Sequence, residues 1–169
     1  KKYGYEAIRF YIALSFGFAN SPYKEDDLIN LYNSLLADNF GNLLNRVIHL
    51  SNSKNIEINN IDKVSIDFKS VIDNLKHSAN EYFEKFEINE VIKKITEISS
   101  FGNDYIQKEE PWSKDKDIEN VEIVLNNLSY LLSVVIELYA PVIPESCEKA
   151  IKALKTREKI ILFNKIVKS

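Results

Sequence analysis

Apolar residues recur at intervals of three and four along almost the whole chain, which is the periodicity of amphipathic α-helices. The same pattern leaves too few Gly and Pro residues for the frequent turns of an all-β fold. The sequence therefore predicts an all-α protein, an antiparallel bundle of five to six helices. The predicted helices cover residues 5–16, 21–50, 63–86, 90–110, 117–139 and 144–154, followed by a final helix or a packed arm.

Residue types at the predicted ends refine these ranges. Ser21, either Asn60 or Asp62, and Asn89 are good N-caps because their short polar side chains accept hydrogen bonds from free backbone N–H groups. Pro111 must lie beyond the end of the fourth helix. Within the first helix, Ile8, Tyr11, Ile12 and Ser15 share one side, and the pattern predicts that this side packs against the bundle. In the third helix it assigns a core register to residues 71, 72, 75, 79, 83 and 86.

Length and composition fit one globular domain spanning residues 1–169. With 169 residues, 45% of them apolar, the chain can bury a core without disulfides or structural metals. Its one cysteine, Cys147, has no partner within the chain. The sequence has no methionine and starts at Lys1, so we expect it to be a piece of a longer protein, with further chemistry upstream. It has no run of about 18 apolar residues, and no membrane span is expected.

The motifs of the common zinc and phosphate-binding sites are missing from the sequence. Two histidines, His49 and His77, and a single cysteine do not match any zinc-binding spacing. No glycine-rich phosphate loop is present. A net charge of −3 argues against a general polyanion binder. These observations favour a recognition module over a catalyst.

One stripe of the long second helix is polar. Asn39, Asn42 and Arg46 fall within about 60° of one another on an α-helical wheel, at the margin of an apolar face. Amide and guanidinium groups suit the edges of nucleotide bases. They suit hydrogen bonds between helices equally well, and both interpretations stay open. In the same helix, Gly41 indicates the close approach of another helix, since glycine destabilises a helix interior.

A second unusual segment surrounds the chain's one tryptophan. Pro111 ends a helix and places Trp112 in a stiffened turn with polar residues on both sides. A lone tryptophan is usually a core anchor. Because its neighbours here are polar, Trp112 is a candidate platform for base stacking.

Four segments resemble, in order, the C-terminal anticodon-binding domain of class I methionyl-tRNA synthetases. Residues 2–11 resemble the family's KYGxDxLRYY run and residues 36–46 its LANxLGNLxxR helix. Residues 103–112 resemble its NxYIxxxxPW turn, and residues 138–145 its LxPxxPE helix junction. Each segment alone is weak evidence, but all four in the family's order are strong evidence.

The resemblance implies roles for particular residues. Trp112, held by Pro111, would stack on the first base of a CAU anticodon. Asn39, Asn42 and Arg46 would make polar contacts to anticodon bases or their backbone. The family usually has Asn where this chain has Asp38, a carboxylate that would repel phosphate but accept from a cytosine amino group.

The resemblance also implies partners outside the chain. We expect tRNA(Met) and the catalytic domain of the same chain as partners, with no cofactor in this fragment and ATP and Mg for the full-length enzyme. The variant at Asp38 resembles organellar members, which favours the mitochondrial matrix over the cytoplasm as the intracellular location. Two alternatives remain: the equivalent domain of another aliphatic aminoacyl-tRNA synthetase, and a protein-interaction bundle.

Basic residues cluster toward the C-terminus: Lys149, Lys152, Lys155, Arg157, Lys159, Lys165 and Lys168. This cluster would contact the tRNA stem, fold against the catalytic domain or simply be solvated.

Overall fold

The fold is an all-α bundle, as the periodicity predicts. The computed structural model describes residues 3–15 and 23–168. Its α-helices are α1 (Tyr5–Ser15), α2 (Glu25–Leu31), α3 (Asn42–Lys54), α4 (Ile66–Glu84), α5 (Ile88–Glu109), α6 (Ile118–Tyr139) and α7 (Pro144–Thr156). A single 3₁₀ turn, Ile61–Lys63, precedes α4 in the described part of the chain.

The predicted second helix is continuous, but its middle section is not α-helical. Between α2 and α3, residues Tyr32–Gly41 form a π-helix, and the residues at both junctions keep right-handed helical dihedrals. The α2–π–α3 rod therefore runs from Glu25 to Lys54. A hydrophobic pattern with a period of 3.6 does not reveal a π-helical stretch. The predicted cap Ser21 lies outside the described residues.

The core is built around α6, which packs against α3, α4, α5 and α7. Its residues are buried on nearly every side, including Asn126 and Asn127. By length and composition α6 is apolar enough to cross a membrane. However, 72% of its most apolar 18-residue window is buried inside the bundle, as expected for a core helix.

Two predicted helix caps are wrong. Ser65, rather than Asn60 or Asp62, precedes the first residue of α4, and Asn60 instead accepts a hydrogen bond from the Asp62 N–H in the 3₁₀ turn. Helix α5 begins one residue before Asn89. The Ser65 N–H donates to the buried Asn127 side chain at 2.9 Å, so a tertiary contact holds the start of α4.

The predicted buried faces of two helices also need correction. Helix α1 packs through Ala7, Phe10 and Tyr11, which leaves Ile8 and Ile12 exposed. In the predicted third helix, Val71 is exposed, and residue 86 lies in the α4–α5 turn, outside the helix, also exposed. A helical wheel groups residues by face, but only the neighbouring elements decide which face is covered.

The last residues form an extended arm, which confirms one of the two predicted alternatives. This C-terminal arm, residues 157–168, returns along the α2–π–α3 rod. Phe163 is buried against Phe40, and a Cβ added at Gly41 would lie 3.0 Å from the Phe163 ring. The close approach predicted at Gly41 therefore comes from an aromatic ring of the arm and not from a helix. The Asn33 side chain exchanges two 2.9 Å hydrogen bonds with the Ile166 backbone.

Candidate nucleic-acid interface

Trp112 occupies a tight corner that follows α5. Helix α5 ends at Glu109, and Glu110 adopts a left-handed conformation (φ 43°) that breaks the helix. The Ser113 N–H donates to the Glu110 carbonyl at 2.9 Å and closes the turn. Pro111 is buried, whereas Trp112 is 41% exposed. The exposure expected from the polar flanks is therefore observed.

An ion pair links the residues before and after this corner. The Lys116 ammonium lies 3.1 Å from the Glu109 carboxylate, so the last residue of α5 is tied to the segment that leads into α6. The loop between them is short and contains a proline, which limits its conformational freedom. The indole ring is consequently presented from a constrained turn.

Arg46 of α3 faces this corner. Its guanidinium carbon lies 5.6 Å from the centre of the Trp112 ring, within the range of a cation–π interaction. An N–H of the same guanidinium donates to the Gln107 side-chain oxygen of α5 at 3.3 Å. Partial burial lowers the pKa of Arg46 from its ordinary value, yet an arginine remains cationic in proteins. The corner thus combines an aromatic face, a positive charge and a carboxamide.

Asn39 lies between the rod and α5. Its amide nitrogen donates to the Ser100 hydroxyl at 3.0 Å, and its side-chain oxygen accepts from the Asn103 amide at 2.9 Å. The Asn103 amide also donates to the Asn39 backbone carbonyl at 3.2 Å. Both ends of the Asn39 side chain are therefore used between helices. This geometry corresponds to the interhelical alternative for the polar stripe.

Two further predicted site residues of the rod, Asn42 and Asp38, are exposed. Asn42 is the first residue of α3, and its side chain makes no hydrogen bond with another residue in the described part of the chain. Asp38 lies 2.8 Å from the ammonium of Lys165 in the C-terminal arm. The structure therefore brings Arg46 and Trp112 together, places Asn42 in solvent, and engages Asn39 and Asp38 with other parts of the chain.

Sequence reasoning missed three residues of this region. Ser100, Asn103 and Gln107 of α5 hold Asn39 and Arg46. Asn103 and Gln107 are four residues apart and so lie on one face of α5. That spacing indicates a shared polar face on α5, but the partners of these residues on the rod follow only from the packing of α5 against the rod. In residues 3–15 and 23–168, no three His, Cys, Asp or Glu side chains are grouped to hold a metal ion.

Comparison with known proteins identifies the family of the chain. Residues 67–167 match the family model described as the anticodon-binding domain of tRNA ligases. This match covers more than half of the chain, so the chain belongs to that family. The resemblance to methionyl-tRNA synthetases is confirmed as well, because the similar curated proteins are methionine–tRNA ligases.

Two of these relatives show how much of a whole enzyme the chain represents. The methionine–tRNA ligase of Borrelia garinii subsp. bavariensis is 35% identical over 151 residues, covering 83% of this chain and 20% of that protein. The Ureaplasma parvum methionine–tRNA ligase is 25% identical over 167 residues, covering 94% of this chain and 32% of that protein. The chain therefore spans about a fifth to a third of the length of these relatives.

A solved structure shares the fold. The apo form of Mycobacterium tuberculosis methionyl-tRNA synthetase superimposes with a TM-score of 0.76 at 16% sequence identity, covering 98% of this chain and 36% of that one. At this identity the likeness establishes the bundle architecture alone.

Proposed function

We propose that this chain is the tRNA-selecting domain of a methionine–tRNA ligase and that it recognises the CAU anticodon of tRNA(Met). The observation that carries the proposal is the exposed Trp112 ring on a proline-stiffened corner, 5.6 Å from the Arg46 guanidinium. The methionine–tRNA ligase identity of the curated relatives supports it.

In the proposed complex, the first anticodon base stacks on Trp112. Bases of an unpaired loop can be splayed out and stacked on aromatic side chains, each stack contributing about 1–3 kcal/mol. The Arg46 guanidinium supplies donors for a base edge or an adjacent phosphate. Recognition by a few such contacts does not require a basic domain, which is consistent with the net charge of −3.

The polar residues of the rod divide into two roles in this proposal. Asn42 is exposed and offers both a donor and an acceptor to RNA. Asn39 would have to give up its hydrogen bonds to Ser100 and Asn103 to contact a base, so we assign it the role of holding α5 beside the rod. Pro111 contributes by stiffening the Trp112 turn.

The whole enzyme is part of the proposal. Activation of methionine with ATP and Mg²⁺, followed by transfer to tRNA, is assigned to a catalytic domain elsewhere in the same protein. The exposed apolar side chains of α1, Ile8 and Ile12, are candidate contacts for that domain. The mitochondrial location expected from the variant at Asp38 stays a prediction.

A binding experiment tests the proposal. RNA stem-loops with the anticodon CAU, and the same loops with GAU, are titrated against the native chain and Trp112→Ala. We expect the native chain to prefer CAU, and the variant to lose about ten-fold or more in affinity for CAU together with the preference, because the stacking platform is gone.

Phe86→Ala is the matched control. Phe86 is an exposed aromatic residue beyond the opposite end of α5, about 30 Å from Trp112 by the length of that helix. We expect this variant to bind like the native chain. Equal binding of CAU and GAU by the native chain would refute CAU recognition and favour the alternative of a protein-interaction bundle.

A further inference from the structure

The C-terminal arm places one lysine against the only acidic position among the predicted site residues. The Lys165 ammonium lies 2.8 Å from an Asp38 carboxylate oxygen, and both side chains are more than half exposed. Contacts on both sides of Lys165 hold its backbone in place. Ile166 exchanges two hydrogen bonds with Asn33, and Phe163 is buried against the rod. The arm thus presents this charge from a fixed backbone.

Asp38 lies close to the proposed RNA contacts. It precedes Asn42, an exposed candidate RNA contact, by four residues, so the two side chains are neighbours about one helical turn apart, and its axial separation from Arg46 is about 12 Å. The phosphates of an RNA that contacts Asn42 would pass beside an unpaired carboxylate at this position. A negative charge there opposes RNA binding unless it is neutralised.

The arm forms a second ion pair that serves as a comparison. Lys168 lies 2.6 Å from the Asp26 carboxylate. Asp26 precedes Arg46 by twenty residues, roughly 30 Å along the rod, or about three Debye lengths at physiological salt. These two exposed pairs on one arm therefore lie at different distances from the proposed site.

We propose that Lys165 neutralises Asp38 and thereby makes this side of the rod compatible with an RNA backbone. The inference rests on the proposed function and extends it, because it makes the C-terminal arm part of the tRNA-binding surface. Asp38 acts through its charge and does not read a base. An exposed ion pair adds little to folding stability, so the effect of this pair is on binding.

A double-variant cycle at about 50 mM salt tests the inference on the 169-residue chain with the CAU stem-loop. Lys165→Met leaves Asp38 unpaired, and we expect it to raise Kd about three- to five-fold, from the repulsion of two nearby phosphates in water. Asp38→Asn leaves Lys165 unpaired and lowers Kd. The double variant restores a Kd close to the native value.

Three further measurements sharpen the result. In about 0.5 M salt the differences disappear because the charges are screened. Lys168→Met, the matched control, changes Kd by less than about two-fold, since Asp26 lies roughly 30 Å from Arg46 along the rod, about two Debye lengths at this salt. The thermal unfolding midpoint of Lys165→Met stays at the native value, which excludes a loss of folding as the cause.

Each opposing result overturns the inference in a recognisable way. If Lys165→Met weakens binding equally in the native chain and in the Asp38→Asn variant, Lys165 contacts RNA directly. If Asp38→Asn weakens binding, Asp38 accepts from a base. If Lys165→Met has no effect while Trp112→Ala abolishes CAU preference, this inference fails and the proposed function stands. If the native chain shows no CAU preference, the proposed function fails, and the inference with it.

Discussion

The carboxylate of Glu6 caps the helix that contains Ser146. One Glu6 oxygen accepts from the Glu145 N–H at 2.8 Å, and the other accepts from the Ser146 N–H at 3.2 Å and its hydroxyl at 2.5 Å. The residue preceding α7 is Ile143, which has no polar side chain to do this. The first and last of the four family-like segments are therefore joined by one side chain.

Replacing Glu6 by Ala is expected to destabilise the bundle. The first N–H groups of α7 would lose their acceptor, and the loss of an N-cap costs about 1–2 kcal/mol. Denaturant unfolding followed by circular dichroism measures this change. Glu148→Ala, at an exposed acidic residue of the same helix, is the control and should change the free energy of unfolding by less than about 0.5 kcal/mol. Equal stability of the two variants would contradict the capping role.

Asn39 and Asn42 should respond differently to replacement by Ala. Asn39→Ala removes two interhelical side-chain hydrogen bonds, to Ser100 and Asn103, so we expect a loss of about 1–3 kcal/mol in the free energy of unfolding. Asn42→Ala should unfold like the native chain and weaken only RNA binding. A destabilised Asn42→Ala, or an undisturbed Asn39→Ala, would reverse the assigned roles.

The sequence predicts well those features that depend on local chemistry. Asp117, the first residue of the predicted fifth helix, immediately precedes α6, which ends at Tyr139 as expected, and Pro111 marks the end of α5. The proximity of Arg46 to Trp112 agrees with the resemblance of their two segments to one family. These features follow from caps, prolines and motifs that are visible along the chain.

The features that depend on tertiary packing escaped prediction. Ile12 was expected in the core, but α1 turns a different face toward its neighbours and leaves it exposed. Asn39 was placed in a stripe with Asn42, although its hydrogen-bond partners come from α5. The approach of Phe163 to Gly41 depends on the path of the whole C-terminal arm. Neither the periodicity nor a motif specifies such pairings.

Gly102 marks a tight crossing between helices. A Cβ added there would lie 2.6 Å from a Leu43 methyl group and 3.1 Å from two methyl groups of Leu131. Overpacking of this kind costs about 1–3 kcal/mol and the gain in helix propensity is about 1 kcal/mol, so we expect Gly102→Ala to destabilise the chain by up to about 2 kcal/mol. Chemical denaturation measures the net effect.

A second substitution separates overpacking from other causes. Leu43→Val shortens the side chain that meets the new methyl group. If overpacking is the cause, Gly102→Ala should cost less in the Leu43→Val background than in the native one, a coupling detected by a double-mutant cycle. A more stable Gly102→Ala variant would mean that the crossing can relax to admit a methyl group.

Cys147 should be unreactive in the folded protein. It is buried in α7, and burial raises the pKa of its thiol to about 12, so the thiolate that reacts with alkylating reagents is scarce at pH 8. Iodoacetamide should modify it only after denaturation, as mass spectrometry would detect. Rapid labelling of the native chain would show that α7 opens readily.

Fluorescence of the one tryptophan tests the Arg46–Trp112 contact without RNA. Replacing Arg46 by Ala removes the guanidinium from beside the ring, so Trp112 gains exposure and acrylamide should quench its emission more strongly. Because Arg46 is only partly buried and faces solvent, the free energy of unfolding should fall by no more than about 1 kcal/mol. Gln107→Ala, which removes only the partner of the guanidinium, should produce a smaller change in the same direction. Unchanged quenching in Arg46→Ala would mean that the ring and the guanidinium are not in contact in solution, and the proposed RNA contact at this corner would then lack its cation.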